Sequence, residues 1–269
     1  MTALPSHVAH VASAPRIDER DWHARVAHAF SRAAPRYLER AWAQQAMAER
    51  LLARLPAHAQ DVLDLGCGPG DLTAELFRRY GAGGRVTGLD LAPGMLDAAR
   101  QRHGQAIDWR CADAADLPLP NASHDLVVSN LAIQWCPNLD AVLSELTRVL
   151  RPGGRALINT LAPGTLAEVG QAWAHPAALL DFRDAACHRR AAHGVGFRRV
   201  EVNERIERFH YPDLSAVMAS IKGVGAQVAR GGARLSRADV ARATHRFEAL
   251  RTDHGLPVSY HLLTLELER

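Results

Sequence analysis

The 269-residue chain has one lysine, Lys222, among its 32 lysine and arginine residues; whatever bias removed the others left this one in place. Its four cysteines, Cys67, Cys111, Cys136 and Cys187, form no C-x-x-C pair. Neither a cysteine-rich zinc site nor a disulfide framework is expected, so they read as reduced thiols and no metal is called for. No apolar run approaches the roughly 18 residues of a membrane-crossing helix. Met1 to Arg20 lacks the basic start and continuous apolar stretch of a secretory leader. A cytoplasmic protein without a membrane partner is the expectation. There is no Asn-Pro-Pro-Tyr-type segment and no basic stripe interleaved with aromatics, which sets nucleic acid aside as a partner.

What is present suits a globular chain: 48% of residues are hydrophobic and 23% charged, enough for one core with a small appendage. The formal net charge is only +3, yet arginines crowd the last third, from Arg189, Arg190, Arg198, Arg199, Arg205 and Arg208 to Arg230, Arg234, Arg237, Arg242, Arg246 and Arg251. Such a run permits an acidic partner and equally suits a solvated surface.

Residues 1–20 mix proline, serine, histidine and alanine without a period and read as a disordered tail, ahead of a single domain over 21–269. Apolar residues at helical spacing from Trp22 to Leu55, broken at Pro35, predict two helices within 21–56. Over 61–161 the pattern alternates. Strands are predicted at Asp61 to Leu65, Arg85 to Leu89, Ile107 to Cys111, His124 to Ser129 and Arg155 to Leu161, with helices at Asp71 to Tyr80, Pro93 to His103 and Leu139 to Leu150. This alternation with short links predicts an α/β fold, a parallel sheet covered by helices on both faces. A variable region, 162–257, follows. It has helices near Leu166 to Trp173, Ala177 to Ala192, Leu214 to Lys222 and Arg237 to Arg251, and a charged strand near Arg198 to Phe209. A helical lid is expected before the closing strand, 258–269.

The first strand runs into Asp64-Leu65-Gly66-Cys67-Gly68-Pro69-Gly70. Glycines there let the chain turn sharply and let a cofactor approach the backbone near a helix N-terminus. The spacing is G-x-G-x-G preceded by an acid, not the G-x-G-x-x-G that cradles a pyrophosphate. An acid at that strand end suits a ligand with an ammonium and a sulfonium, as in S-adenosylmethionine. Twenty residues beyond Gly70, Asp90 ends the second strand, placed to accept both ribose hydroxyls. Asp113 follows the third strand, where an adenine amino group can donate. The expected cofactor set is Asp64, Gly66, Cys67, Gly68, Gly70, Asp90, Leu91, Asp113, Ala114 and Asn130.

Asp61 to Leu161 resembles the class I, Rossmann-like methyltransferase fold. That resemblance implies a seven-stranded, mostly parallel sheet with the last strand antiparallel. The fold also hosts polyamine synthases and proteins that bind the cofactor without methyl transfer. Further segments are similar to one family, the malonyl-[acyl-carrier protein] O-methyltransferases of biotin synthesis. They are Ser129-Asn130-Leu131-Ala132-Ile133-Gln134-Trp135-Cys136, Ser220-Ile221-Lys222-Gly223-Val224-Gly225-Ala226, Ser259-Tyr260-His261-Leu262, and the entry run Phe30 to Tyr37. Between Pro176 and Phe197 the likeness is loose. The resemblance implies a malonyl-acyl carrier protein or malonyl thioester as partner, with Gln134 and Trp135 facing the transferred methyl and Tyr37, Lys222 and His261 as further positioning residues. His261 equally suits a half-buried strand histidine, Tyr37 and Tyr260 core aromatics, and Lys222 a helix end favoured by the dipole.

A malonyl carboxylate, with a pKa near about 4, is already ionised at neutral pH, so its methylation needs alignment and no general base. Methylation of a free small acid such as trans-aconitate or of a quinone precursor is a second reading. A non-catalytic S-adenosylmethionine-binding assembly or regulatory protein is a third.

Overall fold

In the computed structural model, residues 19–173, 180–225 and 236–269 are described. The tail expected over 1–20 falls almost wholly outside them, as do Ala226, Arg230, Arg234 and part of 176–197.

The N-terminal run folds as α1 (Glu19–Ala33), a 3-10 turn (Ala34–Arg36), α2 (Tyr37–Arg40) and α3 (Trp42–Leu52), where two helices were expected. Pro35 has no N–H with which to continue α1, and the chain tightens into the 3-10 turn before resuming. Trp22 and Val26, four apart, give α1 its buried stripe.

Seven strands follow: β1 (Asp61–Leu65), β2 (Arg85–Asp90), β3 (Asp108–Cys111), β4 (His124–Asn130), β5 (Leu150–Leu161), β6 (Arg199–Tyr211) and β7 (Leu256–Glu268). They make one sheet in the order β3-β2-β1-β4-β5-β7-β6. β1 to β5 pair in parallel, and β7 lies antiparallel between β5 and β6, as the resemblance implies. The helices are α4 (Asp71–Tyr80), α5 (Pro93–His103), α6 (Leu139–Val149), α7 (Ala167–Ala172), α8 (Ala185–Gly194), α9 (Leu214–Gly223) and α10 (Arg237–Glu248).

Alternation along β1 divides the core. Val62 packs with Leu51 of α3 and Leu76 of α4, while Leu63 and Leu65 join Leu143 and Leu146 of α6 and Ala192 of α8. Leu76 is fully buried, so its truncation to alanine costs about 3 kcal/mol. α9 and α10 lie between β6 and β7, where the lid was expected, and pack on Phe209, Tyr211 and Val258.

Two boundaries differ from expectation by five residues or more. Residues 180–184 are not helical, and α8 starts at Ala185 because the Asp184 carboxylate accepts the Cys187 N–H at 2.7 Å. β5 starts at Leu150, since Arg151 is held against Asp125 at 2.7 Å and Asp61 at 2.8 Å, which keeps the turn in the sheet. No helix among the described residues is long and apolar enough to cross a membrane.

The chain winds outward from β1 through β2 to β3, then returns to β4 on the other side. A crevice opens at this reversal beyond the carboxyl ends of β1 and β4, the usual binding position in such sheets.

Candidate active site

The turn after β1 is a row of left-handed glycines, with φ of 74° at Gly66, 55° at Gly68 and 87° at Gly70. A Cβ on Gly66 would stand 2.2 Å from Ala132 Cβ, and one on Gly70 2.6 Å from the Trp109 ring. At Gly68 nothing lies within 4 Å, so its backbone faces open space. The Gly68 N–H donates to Asp90 Oδ2 at 2.9 Å and the Ala92 N–H to Asp90 Oδ1 at 2.8 Å. Burial pushes the Asp90 carboxyl above its usual range, against the pull of these N–H groups. Each oxygen keeps a lone pair for a further donor.

A cleft of about 750 Å³ lies over this turn, lined by Leu91, Asp113, Ala114 and Trp135 among others. Its roof is α1, through His23, Val26 and Phe30. His23 Nδ1 approaches Asp113 Oδ2 at 3.0 Å, while Asp113 Oδ1 accepts the Ala115 N–H at 2.9 Å. Trp22 Nε1 donates to the Trp135 carbonyl at 2.7 Å, and Phe30 meets the Trp135 ring edge-on at 5.2 Å. Sequence reasoning missed His23 and Phe30. Helical spacing shows that a face of α1 is buried but not what it covers.

A second cleft of about 480 Å³ shares Tyr37, Gly66, Gly68 and Asn130 with the first and reaches Asp64, Gln44 and Asp71. Asp64 is buried, with Oδ2 accepting Thr73 Oγ1 at 2.6 Å. Burial pushes its carboxyl up to about 7, opposed by Thr73 and reinforced by Asp90. Three buried acceptors in this cleft have no partner: Asp64 Oδ1, Gln44 Oε1 and Asp71 Oδ2. Unsatisfied buried oxygens are costly, and these converge where a donor-rich cation would satisfy them. The Tyr37 hydroxyl is held above its usual range by burial, then by Asp90 and Asp71. Asn130 is fixed between α3 and β5, donating to the Gln44 carbonyl at 3.1 Å and accepting from Asn159 at 3.1 Å. Cys67 at the turn and Cys136 in the first cleft stay protonated, with burial raising the first well above the thiol range and pushing the second up to about 12.

Of the expected substrate residues, the structure brings Tyr37 and Trp135 to the clefts and leaves Gln134, Lys222 and His261 away from both. Both ends of Gln134 are engaged. Nε2 donates to the Leu131 carbonyl at 2.7 Å and Oε1 accepts from Thr160 at 3.2 Å. It therefore shapes the wall indirectly, by holding Leu131, a cleft residue in the left-handed region at φ 57°. Lys222 is exposed on the last turn of α9. His261 lies half-buried on β7, its ring against Gly164 and its N–H donating to Thr165 Oγ1 at 3.0 Å. Tyr260 is a core aromatic, 5.6 Å from the Phe209 ring. Among the described residues no group of three His, Cys, Asp or Glu side chains is placed to hold a metal ion.

The family described as "Methyltransferase domain" matches residues 63–158. The malonyl-[acyl-carrier protein] O-methyltransferase of Serratia marcescens is 41% identical over 249 residues, covering 88% of this chain and 92% of that protein. The biotin biosynthesis bifunctional protein BioHC of Cellvibrio japonicus is 38% identical over 256 residues, 90% of this chain, which spans about half (49%) of that longer relative. Among solved structures, the YcgJ protein of Bacillus subtilis superposes with a TM-score of 0.61 at 15% identity, over 84% of this chain and 98% of that one, a likeness of fold.

Proposed function

Because the chain belongs to the malonyl-[acyl-carrier protein] O-methyltransferase family, we propose that it transfers a methyl group from S-adenosylmethionine to the free carboxylate of a malonyl thioester on an acyl carrier protein, an early step of biotin synthesis. The observation that carries this reading is the pair of joined clefts, whose unpartnered acceptors at one end and carboxylate floor at the other suit a cationic nucleoside donor.

When bound, S-adenosylmethionine supplies a methyl carbon made electrophilic by its sulfonium. The chain's own residues do the rest. Asp90, oriented by the N–H groups of Gly68 and Ala92, accepts the ribose hydroxyls. Asp64 Oδ1 and Gln44 Oε1 hold the ammonium, with Asp71 nearby. Leu91, Ala114, Val26 and Phe30 enclose the adenine, and Asp113 receives its amino group beside His23. Tyr37 and Leu131, which line the first cleft with Trp135, exclude water where the acceptor oxygen meets the methyl. No side chain has to remove a proton, because the acceptor carboxylate is already ionised. Catalysis is therefore alignment of oxygen, carbon and sulfur in a dry junction.

Mass spectrometry of malonyl-carrier protein incubated with enzyme and S-adenosylmethionine tests this reading. The expected product is the thioester-bound malonyl group heavier by one methylene. Transfer to a free acid such as trans-aconitate with none to the thioester overturns the substrate, and cofactor binding with transfer to neither overturns the enzyme.

A further inference from the structure

We propose that the N-terminal helical run and the end of α9 form a cationic docking rim for the acidic surface of the protein that carries the thioester, an inference that rests on the substrate reading above. Several arginines of the last third are already engaged within it. Arg199 pairs with Glu201, Arg205 with Glu207, Arg242 with Asp239 and Arg251 with Glu248, while Arg189 donates to the Val202 carbonyl.

A second run of positive charge lies beside the clefts. Between Trp22 and Ala48 the chain carries four arginines, Arg25, Arg32, Arg36 and Arg40, against one acid, Glu39. Arg32, Arg36 and Arg40 lie close together in the chain, at the end of α1, at the end of the 3-10 turn and at the end of α2. All three are exposed, and none pairs with a carboxylate among the described residues.

α9 adds a fourth charge. The Arg40 stem lies so close to Gly223 that a Cβ there would stand 2.6 Å from Arg40 Cγ, and Gly225 packs against Phe30 in the same way at 3.1 Å. Lys222, next to Gly223 and exposed, is therefore a neighbour of Arg40. The chain's single lysine, which lines neither cleft, has a place in this rim. The rim also borders the site, since Tyr37 follows Arg36 and lines both clefts. One exposed ion pair contributes little, but four like charges beside a cleft mouth raise the encounter rate with an acidic partner and make it salt-dependent.

The test is the double charge reversal Arg36→Glu with Arg40→Glu, assayed on malonyl-carrier protein and on malonyl-N-acetylcysteamine, which presents the same malonyl thioester without carrier or phosphate. The expected result is a loss of about tenfold or more in kcat/KM on the carrier-bound substrate and less than about twofold on the small thioester. Affinity for S-adenosylhomocysteine should be unchanged, and the parent's salt dependence lost. Equal loss on both substrates, or none on either, overturns the rim. Weakened S-adenosylhomocysteine affinity also overturns it, assigning these arginines to the cofactor instead. If the reversal does not fold, Arg36→Gln with Arg40→Gln carries the same split at smaller size. Turnover of neither substrate by the folded parent is a failure of the substrate reading and is recognised before any variant is made.

Discussion

The two halves of the crevice are put together in different ways. On the cofactor side each group sits at or just past a strand end: Asp64 and Gly66 at β1, Asp90 at β2, Asp113 after β3 and Asn130 on β4. Parallel strands bring those ends to one edge whatever the helices between them contain. On the other side the walls come from α1, α2, α3 and the loop after β4, segments tied by contacts between residues far apart in the chain, such as Trp22 to Trp135 and Asn130 to Gln44. A strand-end site is a property of the sheet, whereas a roof is a property of how helices land on it. Substitutions on the two sides should therefore differ in kind.

The largest effect is expected at Asp90, where one carboxylate braces the glycine turn and, on the proposed reading, accepts the ribose. Asp90→Ala should weaken S-adenosylhomocysteine binding by about a hundredfold, or roughly 2.7 kcal/mol, and calorimetric titration with unchanged affinity refutes the assignment. Gly66→Ala strikes the same turn through stability. With a positive φ and Ala132 Cβ in the way, it should lower urea resistance by about 2 kcal/mol, and Ala132→Gly should restore part of the loss. Full stability in Gly66→Ala would mean that the turn gives way.

Asp64 joins the two halves, and its sign can be worked out. Its folded pKa of about 7 lies above that of an unfolded aspartate. The folded state therefore prefers the proton, and the cost of keeping the ionised form builds from about pH 4 and is complete above about pH 7. Ammonium binding needs that ionised form. Affinity for S-adenosylhomocysteine should therefore fall as pH drops through about 7, and should be flat in Asp64→Asn. The ligand-free variant should melt above the parent at pH 8 and approach it at pH 5. Parallel pH profiles for parent and variant sink this account.

On the roof side, Gln44→Met should cost about tenfold in S-adenosylhomocysteine affinity and leave 5′-methylthioadenosine, which lacks the amino-acid moiety, unaffected. Equal loss for both ligands would place Gln44 in packing rather than recognition. The smallest effect belongs to His261→Ala, within about twofold of the parent for either ligand, since the ring rests on Gly164 outside both clefts. A larger loss would mean that the two sides are coupled through β7.

This contrast also decides what could be read from the chain. The placement of Asp64, Gly68 and Asp90 was legible because strand, turn and helix N-terminus are local patterns, and acids at successive strand ends reinforce one another. So was the position of Asp113 after β3, but its contact with His23 was not, because 90 residues and no periodicity connect them. Gln44 carried no mark at all; its place in the second cleft appears only in the fold, where Asn130 holds its backbone. Gln134, Lys222 and His261 were expected at the substrate and line neither cleft. A segment's likeness to a family locates a neighbourhood, while the direction of one side chain depends on partners such as Thr160 or Gly164 that lie far along the chain.

The roof formed by α1 bears on the pace of turnover. It is fastened at three points, Trp22 to Trp135, His23 to Asp113, and Ser31 Oγ accepting the Gly94 N–H at 3.1 Å. A spent nucleoside differs from the fresh one by a methyl group and a charge at the far end of the crevice, so beneath α1 it keeps every adenosine contact. On the proposed reading its departure depends on these fastenings, one of which ties α1 to Asp113 on the floor of the crevice. On that reading the residence time of the spent donor is set by α1, and slow product release is the expected kinetic signature.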